Sequence, residues 1–148
     1  MNAVIDLLLP YLGRICGAIA LDEGDDAVQE AMIAVLRNLG GLREPAALHR
    51  WARRIAVRES LRIAGRRSPL ASTDAIAEHP APSVDLDAAL DVVAVLGELT
   101  PSQRAILVLR DLDGLSEEEA ARVLRVPAGT VKSRLHRARA AFRARWTR

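Results

Sequence analysis

The sequence predicts an all-α chain of two small helical domains joined by a flexible linker, the second domain carrying a helix-turn-helix. Three observations predict this. Aromatic residues are only 3% of a chain that is 50% hydrophobic, glycine is scarce inside the periodic segments, and no run shows the sustained alternation of apolar and polar residues of a half-buried strand. Two capping boxes, Thr100 with Gln103 and Ser116 with Glu119, each mark a helix start. Between the periodic segments lies a stretch with Pro69, Pro80 and Pro82 and no helical stripe to bury, which reads as an extended linker over residues 65–84. A chain of 148 residues then divides into domains 1–64 and 85–148, each near the size at which a core is only marginally stable.

Residues 4–21 read as a helix started or interrupted at Pro10, with Leu8, Leu12, Ile15 and Ile19 at helical spacing. An acidic turn opens a second helix, residues 25–39, which ends at Gly40 and Gly41. Val28, Met32, Val35 and Leu39 make its expected buried stripe, leaving Asp26, Gln29, Glu30, Ile33 and Arg37 largely off it. The third helix covers residues 46–64. Leu48, Trp51, Ala52, Ile55 and Ala56 share one face, and Arg50, Arg53, Arg54 and Arg58 occupy the other.

Beyond the linker, residues 85–99 resume helical spacing through Leu86, Leu90, Val93 and Leu96. Thr100 then caps a helix with Pro101 at its first position, ending near Asp113 and Gly114. Ser116 opens the first helix of the helix-turn-helix, carrying Ala120, Ala121, Val123 and Leu124 toward a core. Val126-Pro127 marks the turn, with the proline suited to the first turn of the next helix. In that last helix Val131, Leu135, Ala138 and Phe142 fall on one stripe. Ser133, His136, Arg137 and Ala140 lie opposite, flanked by Lys132, Arg134 and Arg139.

Charge is distributed in blocks. Residues 1–36 carry −5, 37–68 carry +7, 69–119 carry −9 and 120–148 carry +9, within a net +2. No acid follows Glu119. Two basic blocks suit two contacts with a polyanion, while basic and acidic blocks can also attract each other within the fold. Arg137 on the outer face is placed to read a base, and Arg139 on the flank to meet a phosphate.

Several classes of function are disfavoured. Cys16 is the single cysteine, so no disulfide framework or metal-ligand spacing exists. His49, His79 and His136 stand in unrelated contexts, no nucleophile set is grouped, and no glycine-rich phosphate loop occurs, so no catalytic site, metal or cofactor is expected. The apolar stretch from Val4 to Leu21 is broken by Asp6, Pro10 and Arg14 and lacks a basic start. Neither a membrane span nor a signal peptide is expected there, and the protein is placed in the cytoplasm.

The segment Leu-Thr-Pro-Ser-Gln-Arg-Ala-Ile-Leu-Val-Leu-Arg from Leu99 continues through Gly-Leu-Ser-Glu-Glu-Glu-Ala-Ala from Gly114. It closes with Pro-Ala-Gly-Thr-Val-Lys-Ser-Arg-Leu-His-Arg-Ala-Arg from Pro127. This resembles region 4 of the small bacterial sigma factors of the extracytoplasmic-function group. Asp-Ala-Val-Gln-Glu from Asp26 and Trp-Ala-Arg-Arg-Ile-Ala from Trp51 resemble region 2. The resemblance implies a sigma factor whose region 4 reads the minus-35 promoter element and whose region 2 grips the polymerase clamp and engages the minus-10 element.

On that reading Lys132, Ser133, His136 and Arg137 meet base edges, and Thr130 and Arg134 hold phosphates. Arg50, Arg53, Arg54 and Arg58 follow a displaced strand, with Trp51 a core residue near it. Asp26, Gln29, Glu30 and Ile33 dock on polymerase. Implied partners are core RNA polymerase through its clamp coiled coil and flap, promoter DNA, and an anti-sigma factor as a candidate regulator. The chain departs from the family at Met32 and Leu36, where aromatics are usual, and at Arg58, where Asn is usual. A helix-turn-helix regulator that binds DNA without joining polymerase is the alternative, and the looser region 2 match and the two-block architecture are what separate the two.

Overall fold

The computed structural model describes residues 2–66 and 86–147, which fall into two compact units, one up to Arg66 and one from Arg67. The linker expected over residues 65–84 lies, apart from Gly65 and Arg66 at the end of the third helix, outside the described residues. Every regular element among the described residues is helical.

The first unit is a bundle of three helices, α1 (Asn2–Ala20), α2 (Gly24–Asn38) and α3 (Leu48–Gly65), each packed on the other two. Leu8, Leu12, Ile15 and Ile19 are buried as their spacing predicts, joined by Cys16. The span from Ala3 to Gly41 is apolar enough in one 18-residue window, with a mean hydropathy of 1.7, to match a membrane helix by length and composition. Leu8, Leu12, Ile15 and Ile19 of this span are in the core of the bundle while Leu7 and Leu9 are exposed, and a left-handed residue, Leu21 at φ 51°, ends α1.

Helix α2 buries Ala27, Ala31, Met32 and Val35. Val28 and Leu39, expected in the core, are only half-buried. The reason is a close helix crossing. A Cβ on Gly24 would stand 2.9 Å from the Cα of Gly17, so α1 lies against the small-residue side of α2 and turns Val28 to the edge.

In α3 the core stripe is Ala52, Ala56, Val57, Ser60 and Ile63. Leu48, Trp51 and Ile55 sit half-buried at its margin. The expected stripe was rotated because Trp51 and Ile55 outweigh alanines in any apolar pattern, whereas the crossing selects residues small enough to approach α1 and α2.

The second unit contains α4 (Leu86–Gly97), α5 (Pro101–Leu107), a π-helical turn (Val108–Leu112), α6 (Glu117–Leu124) and α7 (Ala128–Trp146). Both capping boxes form reciprocally, at Thr100/Gln103 and Ser116/Glu119. Helix α7 is the hub, touching α4, α5 and α6. Leu90 and Val93 were expected in the core but are 50% and 51% exposed, while Val95 and Leu99 are buried. Helix α4 packs chiefly on α7, so one narrow stripe of an almost wholly apolar helix suffices.

Arg104 is buried, and its guanidinium donates to the carbonyls of Leu96 and Leu99, at 3.2 and 2.5 Å. It thereby closes the carbonyl end of α4 against α5. Desolvation pushes its pKa below the usual arginine value.

Candidate nucleic-acid interface

The helix-turn-helix is built by backbone geometry at two residues. Arg125 takes a left-handed conformation, φ 55° and ψ 47°, and the amide of Val126 donates to the carbonyl of Ala121 at 3.1 Å, which ends α6. Pro127 is extended at φ −62° and ψ 148°. It stands just outside α7 rather than in its first turn, and its carbonyl accepts the amides of Thr130 and Val131 at 3.0 and 3.2 Å.

Val131, Leu135 and Ala138 of α7 are buried and Phe142 is half-buried, as the stripe predicts. That fixes the opposite face outward. Lys132, Ser133, Arg134, His136 and Arg137 are all exposed, and Thr130 is half-buried. The Ser133 hydroxyl donates to the Thr130 carbonyl at 3.1 Å, which orients it along the first turn. The face therefore combines hydroxyl, imidazole and guanidinium groups on one rigid element, the donor mix that reads base edges in a major groove.

Arg139 is placed differently from the expected phosphate contact. Its Nε and Nη2 donate to the two carboxylate oxygens of Asp111 at 3.1 and 2.5 Å, a bidentate pair across 28 positions of sequence that raises the arginine pKa. A contact between Arg139 and phosphate would have to break it. The π-helical turn is what presents Asp111 to α7, and it closes at Gly114, whose φ of 69° suits glycine.

Arg139 and Asp111 also border an open apolar groove of about 370 Å³ lined by Val92, Leu96, Leu107, Val108, Leu112 and Phe142. Leu112 is 75% exposed beside it. This groove has no counterpart in the sequence reading, because its walls come from three separate helices and the π-helical turn.

In the first unit Arg50 is exposed and Arg53, Arg54 and Arg58 are half-buried along α3. Arg53 turns toward α1, donating to the Tyr11 hydroxyl at 3.4 Å. On α2, Asp26, Gln29, Glu30 and Ile33 are all exposed on one outward face. Glu30 lies 3.9 Å from Arg62, which pairs more tightly with Glu59 at 2.6 Å. The three groups expected in the sequence thus occupy α7, α3 and α2, the last two on one bundle.

Two family descriptions match the chain: Sigma-70 region 2 over residues 2–68, and Sigma-70, region 4 over residues 89–142. The RNA polymerase sigma-H factor of Pseudomonas aeruginosa is 34% identical, over 92% of this chain and 82% of its own length. The chain belongs to the extracytoplasmic-function (ECF) sigma factors. The ECF sigma-E factor of Escherichia coli K12 is 33% identical with the same coverage. SigM of Mycobacterium tuberculosis is 37% identical, and the match spans 62% of that ECF sigma factor.

Among solved structures, the sigma factor RpoE of Bartonella quintana, in complex with the anti-sigma factor NepR, superposes with a TM-score of 0.72. It is 25% identical and covers 99% of this chain and 96% of its own. CnrH, solved with the cytosolic domain of CnrY, shares the fold at a TM-score of 0.65.

Proposed function

We propose that this ECF sigma factor binds core RNA polymerase and directs promoter-specific transcription initiation, without catalytic activity of its own. Residues 85–148 read the minus-35 element through Lys132, Ser133, His136 and Arg137, with Thr130 and Arg134 on phosphates. Residues 1–64 dock on the polymerase clamp through Asp26, Gln29, Glu30 and Ile33, and engage the minus-10 element through Arg50, Arg53, Arg54 and Arg58. Residues 65–84 connect the two. The apolar groove beside α7 is the surface suited to the polymerase flap. We place the protein in the cytoplasm, where its template is, and infer an anti-sigma partner by analogy with RpoE and NepR.

One observation carries the reading: both sigma descriptions, region 2 as well as region 4, match in order, each on a compact unit. A regulator that binds DNA without joining polymerase needs only the second. The deciding experiment mixes the full chain with core polymerase and selects promoters from genomic DNA by run-off transcription. Initiation at promoters that neither component uses alone supports the proposal. Binding to DNA without association with core polymerase favours the regulator.

A further inference from the structure

We propose that the edge between α1 and α3 is a second nucleic-acid surface. There Tyr11, Arg14, His49 and Arg53 hold the backbone and one base of a single strand that also runs over the arginines of α3. The inference rests on the reading of region 2 as a promoter-engaging unit, and extends it to a helix that reading does not use.

The edge follows from helical spacing. With Leu8, Leu12 and Ile15 turned to the core, Tyr11 and Arg14 lie one turn apart on the flank of α1 that meets α3. His49 and Arg53 lie one turn apart on α3. The two pairs meet at a single phenol. The Arg14 guanidinium stands 6.0 Å from the Tyr11 ring centre, the His49 ring meets it edge-on at 5.3 Å, and Arg53 donates to its hydroxyl. Arg14 and His49 are exposed, and Tyr11 and Arg53 are half-buried. Tyr11 is the only tyrosine of the chain.

Charge separates cleanly across this unit. Helix α2 carries Asp25, Asp26 and Glu30 against one arginine, whereas α3 carries five arginines against Glu59 alone. Arg14 adds a cation from α1 to the α3 side. A row of guanidiniums interrupted by a partly exposed aromatic ring is the surface that single strands use, since phosphates meet the cations and an unpaired base stacks on the ring. A duplex offers no free base face to Tyr11, so the occupant is a displaced strand.

The test uses the full chain bound to core polymerase, and a promoter fork carrying a single-stranded displaced strand. Binding is measured over a range of salt for Arg14→Gln and for Arg50→Gln on α3. The same strand with 5-iodouracil is photo-crosslinked to the unsubstituted protein. Loss of one single-strand phosphate contact should lower the salt slope by about 0.7 for Arg14→Gln, and the crosslink should map to Tyr11.

If Arg50→Gln lowers the slope and Arg14→Gln does not, the α1 edge is refuted while the promoter-engaging role of α3 stands. No change in either variant refutes both. Should Arg14→Gln weaken association with core polymerase rather than with the fork, the edge is a protein contact and the proposal fails. Circular dichroism of Arg14→Gln checks that helicity is intact, as expected for an exposed side chain.

Discussion

Gly24 and Gly17 touch across the α1–α2 crossing, yet alanine at the two positions should act in opposite directions. Gly24 has helical angles, φ −57° and ψ −41°, so on backbone grounds alone alanine would gain up to about 1 kcal/mol. Its new Cβ, however, would lie 2.9 Å from the Gly17 Cα, 3.4 Å from the Gly17 nitrogen and 3.5 Å from the Cys16 carbonyl oxygen. Carbon atoms in good contact sit about 3.5–4.0 Å apart, and these neighbours are backbone, unable to rotate aside. The helices must part by the better part of an ångström, over a crossing where Cys16, Ile19 and Ala27 are fully buried or nearly so.

Overpacking of that kind costs about 1–3 kcal/mol, so the clash outweighs the propensity and Gly24→Ala should destabilise the first unit by about 1–2 kcal/mol. For a unit of this size that is a fall in melting temperature of about 4–8 °C per kcal/mol. A Cβ on Gly17 meets nothing within 4 Å, so Gly17→Ala, in the last turn of α1, should stabilise by up to about 1 kcal/mol. The assay is urea unfolding followed by Trp51 fluorescence in a Trp146→Phe background, so that the signal comes from the first unit. A neutral or stabilising Gly24→Ala would refute the argument. So would equal damage from both substitutions.

Arg125→Gly should stabilise the second unit by about 0.5–1 kcal/mol, because a left-handed φ of 55° strains any residue with a Cβ; unfolding of residues 85–148 followed by Trp146 measures it. Arg104→Met should destabilise that unit by about 2–3 kcal/mol, since two carbonyls at the buried end of α4 lose a charged donor, and denaturant midpoints report the loss. Arg137→Ala should cost about 1–3 kcal/mol on the preferred promoter and relax discrimination at one base pair. Arg139→Ala, already engaged by Asp111, should leave the salt slope of DNA binding unchanged, which titrations of promoter variants at several salt concentrations will decide. Replacing Gln29 and Ile33 together by Ala should weaken association with core polymerase by about tenfold or more while circular dichroism shows the fold intact.

What the sequence discloses is what adjacent residues decide. Both capping boxes, the turn at Val126 and Pro127, and the stripe of α7 depend on spacings of three or four residues, and all appear in the structure. The misplaced core residues share a different cause. Val28, Trp51, Leu90 and Val93 are large and apolar at helical spacing, so periodicity assigns them inward, but which side of a helix is buried depends on where its neighbours cross. Ala27 and Ala31 win the α1 contact because Gly17 and Gly24 let the backbones meet, a fact written in four small residues that carry no hydrophobic signal. The groove beside α7 and the site at Tyr11 were hidden for the same reason, each being assembled from separate helices.

The nine cations after Glu119 illustrate how far a charge count can be taken. Their block reads equally as a nucleic-acid footprint or as the partner of the acidic block before it, and the structure pairs two of the residues with that acidic block. Arg139 is held by Asp111 and Arg145 by Glu98 at 3.1 Å, and both acids belong to the preceding block. These pairs fasten the middle and end of α7 to the rest of its unit. Among the described residues of α7, Lys132, Arg134, Arg137 and Arg143 have no acidic partner, and the first three occupy the half of the helix next to the turn. Three of the four unpaired cations of α7 therefore stand at the end of the helix that a helix-turn-helix delivers to DNA. Neutralising Asp111 and Glu98 should accordingly loosen the unit before it changes which sequence the unit prefers.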